Sequence, residues 1–398
     1  MLKTLEAINE LLSLIKIMKS EKVNLTVSKG RVVSKLLKSK STHPSKNISA
    51  MDGYAINKND KIPRKKLKII GESSAGKKFS GKIKNGECVQ IFTGAVVPKG
   101  SNCIIIQEDV IKNNNNIIIR NEFDNQDYIR YEGSDFDKSF TIKPPKIITP
   151  FTQSLLASMN YTKIPVFIKP SVAIISTGNE LVMPGNKKRD DQVFSSVSFG
   201  LKGLIEDFGG KAFILPILKD NKNDIQNVFL NLKKYDLVIT VGGASEGKYD
   251  LIRECLNNLK FKLKFFKISM RPGKPVFAGK LDNMPLIGLP GNPVSALICS
   301  QILIKPVIEK MLGLPFKRQI KIDATLTRDL DHNGNRTHYI RANFKKINNN
   351  VFVKPRKNQD SFLINELNKA NCLIIKKRNE GKNLKGEQVE IIKILKNY

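Results

Sequence analysis

Between Asp236 and Leu297 the sequence reads DLVITVGGASEGKYD, MRPGKPVFAGKL and PLIGLPGNPVSAL, in which apolar runs end in glycine turns and charged residues follow. Glycine lets a ligand approach the backbone closely. In LPGNPVSA, Asn292 is placed to cap the following helix, and Pro293 to take its first position, where a missing N–H costs nothing. The amides of Val294 and Ser295, with the positive end of the helix dipole behind them, would then face an anion. Arg271 and Lys274, in RPGKP, add positive charge, and Asp250 supplies a carboxylate suited to the metal side of such a ligand. The chemistry in outline is the holding of a negatively charged molecule.

These residues need a scaffold, and the surrounding pattern supplies one. SVAIIS from Ser171 reads as a strand leading to Gly178 and Glu180; Val197 to Phe208 is helical; Ala212 to Ile217 is a strand ending before Asp220; Asp224 to Leu232 is helical; Leu237 to Val241 and Pro285 to Leu289 are paired buried strands. Regular alternation of this kind predicts a doubly wound α/β domain with a parallel sheet, whose ligands bind beyond the carboxyl ends of the strands. Glu180, Asp220 and Asp250 would then share one crevice with the glycine loops. A long helix from Asn292 to Leu312 follows, ended by Gly313 to Pro315.

The flanking regions read differently. Leu5, Ile8, Leu12 and Ile15 recur at helical spacing, and a second helical stretch is expected from Ser28 to Leu37, before His43-Pro44. Short β-like runs at Leu67–Ile70, Glu87–Phe92, Cys103–Gln107, Val110–Ile111 and Ile117–Ile119 indicate a small β module. SAMDGYAI presents Asp52 on a turn, Thr93-Gly94 begins a loop, and Arg130 and Asp135 flank Gly133. Thr149 to Ser158 reads as a helix with Leu155 and Ala157 inward. After Pro315 the pattern is again β-like, as in a barrel or sandwich, with runs at Ile320–Leu326, His338–Phe344, Val351–Val353, Ala370–Ile375 and Val389–Leu395.

At 398 residues the chain fits two to four domains of about 100–200 residues each. Its formal charge of +32 admits nucleic-acid, membrane or small-anion partners, yet no recognised nucleic-acid module accompanies it, and Lys, Asn and Ile are abundant throughout. Five single cysteines without CxxC spacing argue against zinc and disulfides, and three scattered histidines argue against a His-based metal site. The N-terminus makes a poor signal peptide, with Glu6 and Glu10 before a short apolar run, and nothing is long enough to span a bilayer. We expect a cytoplasmic protein with neither nucleic-acid nor membrane partners.

Taken in order, the motifs resemble the MoeA family of molybdopterin molybdenumtransferases, which includes the E domain of gephyrin. They are SAMDGYA at Ser49, TGAxxPxG at Thr93, R-x-x-G-x-D from Arg130 to Asp135, TGNEL at Thr177, and GGxSxG…D with Gly242, Gly243, Ser245 and Asp250. PGKP at Pro272, LPGNPVSA with Pro290, Asn292, Pro293 and Ser295, and the Ser361–Asn371 segment complete the set. The resemblance implies a MogA/MoaB-like α/β domain at 169–316 that binds molybdopterin. Around it would lie an N-terminal helical linker and dimerisation region at 1–46 and 140–168, a β module inserted at 47–139 and a C-terminal β-barrel at 317–398. It also implies a homodimer with each site between the α/β domain of one subunit and the β module of the other.

The implied reaction inserts molybdate into adenylylated molybdopterin with release of AMP, assisted by magnesium on Glu180, Asp220 and Asp250. Arg130, Arg271, Lys274 and the helix start at Asn292 would hold charge, Asp52 and Thr93 would position molybdate or the dithiolene end, and Arg341 and Ser361 would line the cleft. A MogA-like adenylyltransferase and cofactor-accepting enzymes would be partners. Asn102, Asn179 and Val197 depart from the pattern at positions often occupied by acidic residues or, for Val197, by Asn. Two other classes compete: a noncatalytic, gephyrin-like scaffold, and a basic nucleic-acid binder.

Overall fold

The computed structural model describes residues 1–243 and 251–394. The chain divides into two compact units, Lys22–Pro165 and Met1–Glu21 with Val166–Tyr398.

In the larger unit six strands form one sheet, in the order Lys211–Ile214, Ser171–Ser176, Leu237–Val241, Met284–Leu289, Phe277–Leu281 and Lys262–Phe266. The first four are parallel and the last two join antiparallel at one edge. Leu237–Val241 and Met284–Leu289 are buried along their whole length, which is why they read as unbroken apolar runs. Helices Lys222–Leu230 and Leu251–Asn258 cover one face, where Ile225, Phe229 and Cys255 pack against Ala173, Val238 and Leu286. Val197–Asp207 and Pro293–Cys299 pack on the other. The helix expected to reach Leu312 is continuous through Met311, with a π-helical turn at Ser300–Ile304.

The C-terminal strands close a five-stranded barrel, not a sandwich. Thr337–Ile347 pairs with both Asn350–Pro355 and Cys372–Lys376, and the circuit returns through Gln388–Lys393 and Ile322–Leu326. Ile340, Ala342, Val353, Ile374 and Ile391 fill its interior. Met270–Arg271 adds a short parallel strand to Thr337 and His338. The N-terminal helix, Thr4–Leu14, packs on Lys305–Met311, and its buried stripe is Ala7, Ile8, Leu11 and Leu14. Leu5, one of the residues at helical spacing, is exposed.

The smaller unit contains a six-stranded sheet ordered Cys103–Ile106, Gly53–Ile56, Glu87–Ile91, Lys66–Ser73, Asn116–Ile119 and Val110–Asn113. The helix expected from Ser28 to Leu37 is absent. Gly30 turns the chain at φ +77°, and the β-branched pair Val32–Val33 is buried in a ladder with Lys146–Ile147. Helix Pro150–Ser158 forms with Thr149 as cap, but Leu156 and Met159 are buried, and Ala157 is exposed.

Candidate functional site

The strand order reverses between Ser171–Ser176 and Leu237–Val241, so their carboxyl ends bound a crevice. The N–H of Thr177 donates to the Val241 carbonyl at 3.1 Å and that of Gly242 to Leu289 at 3.2 Å, tying three strand ends together. Gly242 and Gly243 have φ of +89° and +63°. A Cβ at Gly242 would lie 2.9 Å from the Thr177 carbonyl oxygen, so only glycine fits there without displacing backbone.

Beyond these turns opens a cleft of about 810 Å³, within or just below the usual upper size for ligand pockets. Glu180, Gly242, Gly243, Pro290, Asn292 and Pro293 line it, as their places at the strand ends led us to expect. Ser176, Phe194, Ser195 and Phe362 line it too, and sequence reasoning missed them. Phe194 and Phe362 stay 45% and 62% exposed and offer the cleft two apolar ring faces open to a ligand. Only the adjacency of Phe362 to Ser361 hinted at its place.

Glu180 is exposed, and its carboxylate lies over Gly178, where a Cβ would come within 2.4 Å of Oε2. Asn179 Oδ1 accepts the Asp220 N–H at 3.2 Å, so the loops bearing Glu180 and Asp220 adjoin. Asparagine here keeps a bond that aspartate would also make, and gives up only the charge. Both carboxylates are oxygen donors of the kind magnesium takes. Among the described residues no three His, Cys, Asp or Glu side chains gather as a metal-binding group. Asp250, the expected third carboxylate, and Ser245 lie outside the described residues.

Four expectations at this site require correction. Asn292 makes no side-chain cap; its Nδ2 instead donates to Ser361 Oγ at 3.0 Å. The Val294 amide is not free, because it donates to the Ser361 carbonyl at 3.1 Å, and Ser295 is buried, with 4% exposure. The C-terminal segment thus occupies the helix start that was to hold an anion. Arg341 does not line the cleft: it is 1% exposed and spends its donors on its own chain. Ser361 does reach the LPGNPVSA turn. Arg271, exposed beside His338, and Lys274, half-buried, do not line the cleft, whereas Pro275 does.

In the smaller unit Asp52 and Thr93 meet. The Thr93 backbone N–H and its Oγ both donate to Asp52 Oδ1 at 2.7 Å, and these two bonds hold the Asp52 carboxyl below its usual pKa. Gly53 permits the turn, since a Cβ there would sit 2.0 Å from the Ile105 carbonyl oxygen. Arg130 is exposed and paired in register with Ile48 at the entry to this turn. Asp135 is exposed, and its N–H donates to the His43 carbonyl at 3.1 Å. Asn102 Oδ1 accepts the Lys58 N–H at 2.7 Å, a bond for which its missing charge is irrelevant.

Comparison with known proteins agrees with this architecture over its whole length. Residues 2–160 match the model of the MoeA N-terminal region (domain I and II), 173–310 that of a probable molybdopterin binding domain, and 323–394 that of the MoeA C-terminal region (domain IV). The molybdopterin molybdenumtransferase of Haemophilus influenzae is 33% identical over 379 residues, covering 94% of this chain and 93% of that one. The enzyme of the same name from Nostoc sp. is 30% identical over 306 residues, 74% of this chain and 70% of its own. The crystal structure of the molybdopterin biosynthesis MoeA protein from Pyrococcus horikoshii OT3 superposes with a TM-score of 0.84 at 25% identity, covering 99% of this chain and 100% of that one. The chain belongs to the MoeA family.

Proposed function

We propose that this chain inserts molybdate into adenylylated molybdopterin and releases AMP and molybdenum cofactor. The observation that carries the reading is the composition of the 810 Å³ cleft, where two exposed phenylalanine rings stand beside glycine turns and the Glu180 carboxylate. A substrate with flat heterocycles at its ends and phosphates between them calls for that combination.

Cleavage of the adenylyl bond forms a bond from a water oxygen to phosphorus and breaks the anhydride P–O bond, leaving two phosphate monoesters. Negative charge increases along this step; we assign its balancing to Lys274, which adjoins the lining residue Pro275, to Arg271 at longer range, and to Arg130 brought by the partner subunit of a homodimer. Magnesium, when bound, would polarise phosphoryl oxygens, and Glu180, Asp220 and Asp250 are the residues that would hold it. Asp52 is assigned a different task. Its lowered pKa keeps it ionised near neutrality, and an ionised carboxylate repels a molybdate dianion. We therefore assign it, with Thr93 fixing its orientation, to positioning the dithiolene end, whose two S–H protons leave with the displaced molybdate oxygen as water as the sulfurs bind molybdenum.

We further infer a cytoplasmic homodimer that receives its substrate from a MogA-like adenylyltransferase and passes its product to cofactor-dependent enzymes. The test is incubation with adenylylated molybdopterin, magnesium and molybdate, with AMP measured by chromatography and cofactor by reactivation of a cofactor-free molybdoenzyme. Both products are expected. Tight binding without either product would make the chain a scaffold.

A further inference from the structure

Arg341 lies on the barrel strand Thr337–Ile347 with 1% exposure, and burial pushes its pKa below the usual arginine value. Among the described residues no carboxylate takes any of its N–H groups. Nη2 donates to the carbonyls of Asn358 at 3.2 Å and Asp360 at 3.0 Å, Nη1 to that of Leu363 at 3.3 Å, and Nε to Gln359 Oε1 at 3.3 Å. Gln359 completes the clasp: its Oε1 accepts the Arg341 backbone N–H at 3.0 Å, and its Nε2 donates to the Arg341 and Arg356 carbonyls, each at 3.0 Å.

A buried charge with no carboxylate bonded to it, only those of Glu366 and Asp360 nearby, is expensive to keep. What it gains here is geometry, because a planar fork of five donors can satisfy several carbonyls at once, as no lysine can. Those carbonyls belong to the loop that delivers Ser361 to Asn292 and Val294, and whose next residues, Phe362 to Asn365, form part of the cleft lining.

We propose that Arg341 is a positioning residue: by gathering the carbonyls of Asn358, Asp360 and Leu363, it sets Ser361 and Phe362 as one wall of the cleft, and it contacts no ligand itself. The proposal rests on the reading of that cleft as the adenylylated molybdopterin site. Arg341 then influences the reaction only through where the wall stands.

Arg341→Lys keeps the charge and loses the fork. In the ligand-free full-length protein, amide hydrogen exchange over residues 358–365 should quicken by about tenfold or more relative to the rest of the barrel, the scale of one lost charge-assisted hydrogen bond. KM for adenylylated molybdopterin should rise by about tenfold while kcat changes by less than about threefold, the signature of a displaced binding wall. Should Arg341→Lys fail to fold, Gln359→Ala releases the same loop from its other side and should give the same pair of changes. Unchanged exchange would overturn the proposal, whether binding weakens, as direct ligand contact would produce, or stays the same. A loosened loop with unaltered KM would overturn it as well. Absence of AMP release from the unaltered protein would refute the enzymatic reading alone, because the exchange measurement needs no substrate.

Discussion

Asp52 and Glu180 are both carboxylates on glycine-bounded turns, yet their surroundings treat them in opposite ways. Asp52 has one oxygen fixed by two Thr93 donors, and those bonds hold it ionised. Glu180 is exposed, and among the described residues its carboxylate has no hydrogen-bond partner, only the bare face of Gly178 beneath it. One group is prepared in charge and direction before any ligand arrives. The other is left open for a ligand to complete. A side chain fixed in charge and direction by its neighbours suits orienting a reactant, and one kept vacant suits coordination or direct contact with substrate.

Four experiments would break or sharpen this contrast. Glu180→Ala should bring the largest loss, with AMP release down by about a thousandfold and the folding midpoint nearly unchanged, as expected for an exposed group. Gly178→Ala should approach it: the new methyl would meet the Glu180 carboxylate, whose flexible end can give way, so AMP release should fall by about a hundredfold. At φ +142° that substitution also costs about 1–3 kcal/mol of stability, readable by denaturant titration. Asp52→Asn should bind adenylylated molybdopterin normally yet lower cofactor formation by about a hundredfold, as loss of an oriented, charged positioning group does; equal loss of AMP release would erase the division of labour.

The smallest effect concerns pH. Because the folded pKa of Asp52 is lowered, its contribution to stability is present above the unfolded value of 3.8 and is lost as pH falls through the folded value. Thr93→Val removes the hydroxyl but leaves the backbone N–H, the larger cause, so a carbon-13 titration of the Asp52 carboxyl should show only a partial rise. A full return to the ordinary carboxylate range would show that the hydroxyl dominates.

The parallel sheet was readable because double burial leaves unbroken apolar runs, such as Leu237–Val241, and the glycine turns follow from where such strands must end. The family motifs located Ser361 and Arg341 without their geometry. Ser361 meets Asn292 across 69 residues of sequence, a separation no local pattern records. Arg341 is surrounded by main-chain carbonyls, which every residue carries and which leave no trace in side-chain identity. The false helix at Ser28–Leu37 shows a third kind of miss. Its apolar spacing suited a helix, but Gly30 in a left-handed conformation and two β-branched valines in a ladder decided otherwise.

The two-residue strand Met270–Arg271 is a small element with a large effect on how this chain can be divided. It belongs in sequence to the α/β portion, yet it hydrogen-bonds into the sheet that forms the barrel, and Gln301 from the long helix donates to the Ile394 carbonyl at 2.6 Å. A fragment beginning at residue 317 would therefore carry a naked strand edge at Thr337 and His338, ready to pair with another copy. Fusion partners, affinity tags and protease sites intended to isolate the C-terminal portion should leave residues 270–271 attached, or the excised piece will tend to self-associate.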